Sequence, residues 1–124
     1  MIGNQNGVYG NANQVQGDMN AVAGDYNQLD GNWNYVEGNA NGLWGNENGV
    51  IGNENYIDGN QNAVVGDENA IEGDANQIWG NVNAILGDWN VAEGNKNQIS
   101  GDGNYVSGSG NVVYSSTTEN LRKD

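Results

Sequence analysis

The chain has 124 residues and a formal net charge of −13, with 16 acidic residues against three basic ones and with neither His nor Cys. This composition excludes disulfide bonds, catalysis by His or Cys, and imidazole or thiolate metal sites. Because Lys and Arg are too few to form a basic patch, we expect neither nucleic acid nor an anionic membrane surface as a partner.

The N-terminus, "MIGNQNG", lacks the basic region followed by an apolar region that defines a signal peptide. No apolar run along the chain approaches the roughly 18–20 residues of a membrane span. We therefore expect no membrane span, and the sequence leaves the route of any export open.

A seven-residue repeat begins at Gly3 and continues without a gap to Gly108. Numbered from Gly as position 0, position +3 is Asn in all sixteen units, and position +5 is Val, Ile or Leu in all but one, where it is Ala92. Position +1 is Asn nine times, Asp six times and Ser once. The unit G-[ND]-x-N-x-[VIL]-x predicts one repeat domain over residues 1–114.

The content of the unit rejects the two familiar helical repeats. A coiled coil needs two apolar seam positions per heptad, and only position +5 is reliably apolar here. An obligatory Gly would also cost about 1 kcal/mol per heptad in a helix interior. Collagen requires Gly at every third residue, which this chain does not have.

Strand geometry accounts for the unit. Positions +3 and +5 leave the same face of a strand, and the variable positions +2, +4 and +6 leave the other. Gly followed by Asn or Asp is turn chemistry. Each heptad therefore predicts one short strand and one tight corner, and stacking these units gives an all-β fold, a β-solenoid, with layers about 4.8 Å apart.

The invariant Asn at position +3 is predicted to point inward beside the aliphatic core. There its amide can bond to turn backbone and to the Asn in the layers above and below, which satisfies polar groups that are costly to bury unpaired. This structural ladder comprises Asn6, Asn13, Asn20, Asn27, Asn34, Asn41, Asn48, Asn55, Asn62, Asn69, Asn76, Asn83, Asn90, Asn97, Asn104 and Asn111.

The sequence allows two coil sizes, one of three heptads and one of two. Every third heptad, starting at Gly17, carries no charge at its outward positions +4 and +6, whereas sorting these positions by twos gives no comparable separation. This pattern favours a three-sided coil of three heptads, with a two-sided coil of two heptads as the alternative.

All ten aromatic residues occupy outward positions, which indicates a narrow interior and a surface that contacts a partner. In the three-heptad coil, Trp44, Val65 and Leu86 lie on one uncharged face. The predicted assembly or partner face consists of Trp44, Val65, Leu86, Trp33, Trp79, Trp89, Tyr35 and Tyr56.

Four acidic residues, Asp67, Asp88, Glu72 and Glu93, are candidate calcium ligands. In a three-heptad coil Glu72 would stack on Glu93, and Asp67 on Asp88, so that a bridging calcium ion could relieve their repulsion. The alternative is a solvated acidic face that keeps the chain soluble. Because these carboxylates lie on a regular convex surface with no cleft, we expect no catalytic residues, no enzymatic activity and no cofactor.

The repeat resembles two families of extracellular β-solenoids. The head repeat of trimeric autotransporter adhesins has the phase G-x-x-[SN]-x-[AV]-x, which Gly59, Asn62 and Val64 match. The G-x-x-N-x-[AV] part of curlin repeats, the subunits of bacterial biofilm fibres, is similar to the same residues. Both resemblances imply an extracellular or cell-surface location and a role in adhesion or in fibres.

These observations favour a structural, self-assembling protein that forms an extracellular fibre, filament or surface layer from copies of itself. The alternative is an adhesin-type module whose aromatic face binds a glycan or a protein. Residues 115–124 break the repeat and are predicted to form a tail or cap. Ice-binding faces are usually regular Thr arrays, and because the only Thr residues are Thr117 and Thr118 in this tail, the sequence does not favour ice binding.

Overall fold

The computed structural model describes residues 1–114 together with the backbone of Leu121 and Arg122. Three-residue strands alternate with four-residue turns throughout the repeat. The strands are β1 Gly7–Tyr9, β2 Gln14–Gln16, β3 Ala21–Ala23, β4 Gln28–Asp30, β5 Tyr35–Glu37, β6 Gly42–Trp44, β7 Gly49–Ile51, β8 Tyr56–Asp58, β9 Ala63–Val65, β10 Ala70–Glu72, β11 Gln77–Trp79, β12 Ala84–Leu86, β13 Val91–Glu93, β14 Gln98–Ser100, β15 Tyr105–Ser107, β16 Val112–Tyr114 and β17 Leu121–Arg122.

The strands form two parallel sheets, one from the odd-numbered strands β1 to β17 and one from the even-numbered strands β2 to β16. We call them the odd sheet and the even sheet. Neighbouring strands of the repeat pair in register at a separation of two heptads, as in the pair of Val50 with Val64. The fold is therefore a β-solenoid with two heptads per coil and about eight coils.

The favoured coil of three heptads is wrong, and the two-sided alternative is correct. In the two-sided coil, each coil contributes one aliphatic side chain from each sheet, and these side chains pack into a single core between the sheets. Their sizes are complementary: the odd sheet presents mostly Val, whereas the even sheet presents mostly Ile and Leu. Larger and smaller side chains from facing sheets thus fill one narrow interior.

Each turn has the same backbone conformation. In the turn that starts at Gly66, the φ of Gly66 is 139° and the φ of Glu68, at position +2, is 57°. A left-handed φ recurs at position +2 in fourteen non-glycine residues, and Gly103 and Gly110 hold that position in the last two units. The variable position +2 thus tolerates many side chains because they point into solvent, at a cost in backbone strain.

The glycine at position 0 is required by contact as well as by φ. A Cβ atom built on Gly66 would overlap the carbonyl of Gly80, the glycine one coil further along. The same overlap recurs between successive glycines along both edges of the solenoid. The close approach of neighbouring turns therefore excludes every side chain at this position.

The first coil is less covered than the coils that follow it. Val8 of β1 is 37% exposed, whereas Val15 of β2 is 3% exposed, and within the described residues β1 pairs only with β3. At the other end, Leu121 and Arg122 pair with β15 in the odd sheet. The rest of the predicted tail lies outside the described residues.

Among the residues described, no helix has the length and hydropathy that a bilayer crossing requires.

A matched pair of substitutions tests the role of the position-0 glycine. We expect Gly66→Ala to lower the free energy of unfolding by about 3 kcal/mol, through left-handed strain and overlap with the Gly80 carbonyl. Gly49→Ala is the control, because no atom of the described residues outside its chain neighbours lies within 4 Å of a Cβ at Gly49. Urea unfolding followed by circular dichroism measures both, and equal losses would contradict the contact argument.

Candidate functional site

The invariant Asn forms a buried ladder, and Asn62 shows how its polar atoms are satisfied. Its Nδ2 donates to Oδ1 of Asn48 at 3.1 Å and to the carbonyl oxygen of Gly73 at 2.8 Å. Its Oδ1 accepts from the backbone N–H and the Nδ2 of Asn76, at 2.9 and 3.1 Å. One side chain thus ties together three successive coils.

The predicted ladder residues occupy equivalent places along both edges of the solenoid. From Asn20 to Asn111 they are buried, and Asn6 and Asn13, in the first coil, are half-buried. Each Asn from Asn20 onwards donates its backbone N–H to the Oδ1 of the Asn one coil earlier, as Asn34 does to Asn20 at 3.0 Å. The ladder therefore replaces the backbone acceptor that the turn itself does not supply.

A second ladder, which the sequence analysis missed, runs along the outside of each turn at position +1. The backbone N–H of Asn46 donates to Oδ1 of Asn60 at 3.0 Å, and Nδ2 of Asn46 reaches the same oxygen at 3.1 Å. Asp accepts equally well, since the N–H of Asp74 donates to Oδ1 of Asp88 at 2.7 Å. This outer ladder points one coil forward, whereas the backbone N–H groups of the inner ladder point one coil back.

The hydrogen-bonding demands of the two ladders explain which residues each position accepts. The outer position needs only an acceptor oxygen, so Asn, Asp and the hydroxyl of Ser109 all serve there. The inner position must accept and also donate to a buried carbonyl, and Asn does both at this length. The preference for Asn or Asp at position +1 was the sequence signal that could have revealed the outer ladder.

The four carboxylates considered for calcium do not pair in the folded chain. Glu72 lies on the even sheet and Glu93 on the odd sheet, while Asp67 follows β9 and Asp88 follows β12, at opposite edges. The predicted stacking is wrong because it assumed three heptads per coil. The described residues contain no group of three or more His, Cys, Asp or Glu side chains placed to hold a metal ion.

The predicted assembly or partner face is divided among three surfaces, so its residues do not form one face. The two-sided coil sends successive heptads to opposite sheets, which separates Val65 from Trp44 and Leu86. Trp44, Tyr56 and Leu86 lie on the even sheet, Tyr35, Val65 and Trp79 on the odd sheet, and Trp33 and Trp89 in turns along one edge.

The outer surface of the even sheet is uneven. The ring of Trp44 bends over Gly42 and lies against the ring of Tyr56, with centroids 5.1 Å apart and planes at 39°. Beyond Tyr56, the small Ala70 and Ala84 are among the residues that line an open depression with a volume of about 400 Å³. Three acidic residues point outward from this sheet, namely Asp30, Asp58 and Glu72.

The outer surface of the odd sheet carries two acidic residues within the described strands, and each accepts a hydrogen bond from a tyrosine. The hydroxyl of Tyr35 donates to Oε2 of Glu37 at 3.0 Å, and that of Tyr105 donates to Oε2 of Glu93 at 3.2 Å. The hydrogen bond to Glu37 and the charge of that carboxylate raise the pKa of the Tyr35 phenol. The strands between these pairs, β7, β9 and β11, present Gly49, Ile51, Ala63, Val65, Gln77 and Trp79, all uncharged.

Two parallel sheets, a core of one aliphatic pair per coil and turns tied by amide ladders define a two-sided β-roll. The sequence profile of the family described as grass antifreeze beta roll matches residues 1–73 and 30–120. The chain therefore belongs to the grass antifreeze beta roll family. No curated protein sequence matches it significantly. The resemblance to autotransporter adhesin heads and curlin repeats has no support in these comparisons.

Removing one rung tests how much the inner ladder contributes to stability. In Asn62→Leu, the carbonyl of Gly73 loses its donor, and the backbone N–H and one side-chain N–H of Asn76 lose their acceptor. At roughly 1–3 kcal/mol for each of these three groups, we expect a loss of about 3–9 kcal/mol, which is enough to unfold a marginally stable domain. Asn60→Ala in the outer ladder is the control, and its loss should be smaller because that position is partly solvated.

Proposed function

We propose that the chain binds ice through the outer surface of the odd sheet. The proposal is supported by membership of the antifreeze beta roll family and by one observation, the unbroken in-register pairing of outward positions from coil to coil. Because of this pairing, each outward position recurs about every 4.8 Å along the solenoid. The oxygen repeat of hexagonal ice is close to this spacing, so a rigid face can meet many lattice sites at once.

The odd sheet suits ice better than the even sheet for electrostatic and geometric reasons. Its central strands β7, β9 and β11 are uncharged, and the carboxylates of Glu37 and Glu93 beside them already accept hydrogen bonds from Tyr35 and Tyr105. The even sheet has three outward acids and an open depression. A flat surface with few strongly hydrated groups can hold an ordered layer of water.

Aliphatic groups take the place of the Thr side chains that such faces usually carry. Val65 has the branched shape of Thr with a methyl group in place of the hydroxyl, and Ile51 lies beside it one coil earlier. Methyl groups restrict the orientation of the water in contact with them. Because the strands are held rigidly by the ladders, little side-chain or backbone freedom is lost on binding, which favours adsorption.

Matched charge substitutions on the two sheets test this proposal. Val65→Lys and Leu86→Lys alter the same heptad position on opposite sheets, and both side chains are exposed, by 42% and 51%. We expect Val65→Lys to remove most of the thermal hysteresis and Leu86→Lys to retain it, with circular dichroism as the check that both fold. Absence of hysteresis and of ice faceting for the folded unsubstituted chain would sink the proposal.

Self-assembly is the second candidate function, and the first coil favours it. The outer edge of β1 has no strand partner within the described residues, and Val8 is partly exposed beside it. An open edge of a parallel sheet can pair with a strand from another copy. We therefore propose this end as the contact through which copies would stack into a filament.

Two substitutions in β1 separate stacking at the end from contact along the side. Val8 is a core-position residue and Tyr9 points outward, with 83% of its surface exposed. We expect Val8→Asp to abolish any assembly and Tyr9→Asp to preserve it, as measured by sedimentation velocity and electron microscopy. A monodisperse monomer at high concentration, or filaments that survive Val8→Asp, would reject end-to-end stacking.

The adhesin alternative has its best support on the even sheet, where the tilted Trp44 and Tyr56 rings border the depression. Aromatic rings of this kind stack on sugars, so a glycan array with a Trp44→Ala control would test it.

An extracellular or cell-surface location agrees with the antifreeze beta roll family and is part of the ice-binding proposal.

A further inference from the structure

Three Asn residues of the inner ladder are followed directly by Gly, a pair of residues with a chemistry of its own. The pairs are Asn6–Gly7, Asn41–Gly42 and Asn48–Gly49, and the sequence contains no other Asn–Gly pair. In such a pair the small, permissive glycine lets its backbone nitrogen approach the preceding side-chain amide. These pairs therefore place a reactive sequence on the interaction that holds the coils together.

The reaction is spontaneous deamidation, and its atoms balance with water as the only co-reactant. The glycine nitrogen attacks Cγ of Asn and forms a new C–N bond, and the bond from Cγ to Nδ2 breaks. Ammonia leaves with the proton from the glycine nitrogen, and a cyclic succinimide remains. Water then opens either carbonyl of the ring, which gives Asp or isoaspartate.

The fold does not require glycine at two of the three pairs. In the part of the chain that the structure describes, nothing beyond the adjacent residues lies within 4 Å of a Cβ built on Gly7 or Gly49, and neither glycine has a left-handed φ. Position +4 holds Ala, Gln, Tyr or Val in other units. The reactive sequence can therefore be removed at either pair without disturbing the backbone, which makes the chemistry testable.

In the folded state, hydrogen bonds and burial keep the side-chain amide of Asn48 from reacting with the Gly49 nitrogen. Its Nδ2 donates to Asn34 and to the carbonyl of Gly59, and its Oδ1 accepts from Asn62. The attacking nitrogen is also engaged, because the N–H of Gly49 donates to the backbone carbonyl of Asn62 at 2.8 Å. The Asn48 side chain is 1% exposed, so it can reach the cyclic geometry only when its coil opens.

The side chain of Asn6 is held by one hydrogen bond fewer than that of Asn48. As at Asn48, the N–H of the following glycine is engaged, since Gly7 donates to the carbonyl of Asn20 at 2.8 Å. Oδ1 of Asn6 accepts from the backbone N–H of Asn20 at 2.9 Å. The Nδ2 of Asn6 donates to the carbonyl of Gly17 at 2.7 Å, and no earlier Asn provides the Oδ1 acceptor that Asn48 has. Asn6 is half-buried and Gly7 is exposed. An end coil also opens locally at lower free energy than a coil with neighbours on both sides.

We propose that Asn6–Gly7 is a deamidation site of the folded protein, and that Asn41–Gly42 and Asn48–Gly49 deamidate only after their coils open. A carboxylate at position 6 no longer donates to the Gly17 carbonyl, which loosens the first coil. A carboxylate at position 48 cannot rejoin a buried ladder that needs a donor. Opening of the central coils is thereby converted into irreversible unfolding.

Site-resolved mass spectrometry tests the proposal. The full chain is incubated in mildly alkaline buffer, folded or in urea, and then digested after acidic residues at mildly acidic pH. Cleavage after Asp18, Glu37, Glu47 and Glu54 places the three pairs in separate peptides. We expect Asn6 to deamidate in the folded protein while Asn41 and Asn48 remain intact, and all three to react at similar rates in urea.

Two variants with open surroundings serve as controls. Gly7→Ala should slow deamidation at Asn6 alone in the folded chain, and Gly49→Ala should slow it at Asn48 alone in urea, with circular dichroism confirming that both fold. Equal rates at the three pairs in the folded protein would overturn the proposal. So would an Asn6 that stays intact in the folded protein over the time in which the unfolded chain reacts.

Discussion

The structure depends on one constraint, which is that the backbone N–H groups of each turn find their acceptors in neighbouring coils. In the turn from Gly66 to Asn69, the N–H groups of Gly66 and Glu68 donate to carbonyls one coil earlier. Those of Asp67 and Asn69 donate to Asn side chains one coil later and one coil earlier. A single turn has no bonded alternative of its own, so a coil is stable only when it is stacked on another.

This constraint separates the interior of the molecule from its exterior. Asn at position +3 and Gly at position 0 have no substitute, because one must donate and accept inside the fold and the other must allow neighbouring turns to touch. The outward positions have no such duty, so they vary from Ala63 to Trp79 on a single sheet. The outward residues, which the fold leaves free to vary, therefore carry any function of the chain, and the solenoid holds them at fixed positions.

Membership of the antifreeze family favours ice binding, whereas the outward residues of the described strands are not the Thr residues that ice-binding faces usually carry. The odd sheet offers an uncharged aliphatic surface in their place. Grass antifreeze beta rolls provide the fold, yet this chain has no Thr on its described strands. Its most regular uncharged region is aliphatic, centred on Ile51 and Val65, and tyrosines bind the two nearby carboxylates. The even sheet, with its depression and its Trp44–Tyr56 pair, has a different surface chemistry, so one solenoid offers two unlike faces.

The sequence by itself determined the solenoid, the core positions and the inward Asn, because a period of seven with fixed Gly, Asn and aliphatic offsets allows few other structures. The sequence analysis predicted the wrong number of heptads per coil. It relied on the charges of outward residues, and these do not determine how many strands complete one coil. Alternating core sizes, such as Val50 against Ile57 and Val64 against Ile71, carried the two-heptad period. Only the tertiary structure decided which outward residues share a sheet, because that depends on how two aliphatic side chains meet across the core.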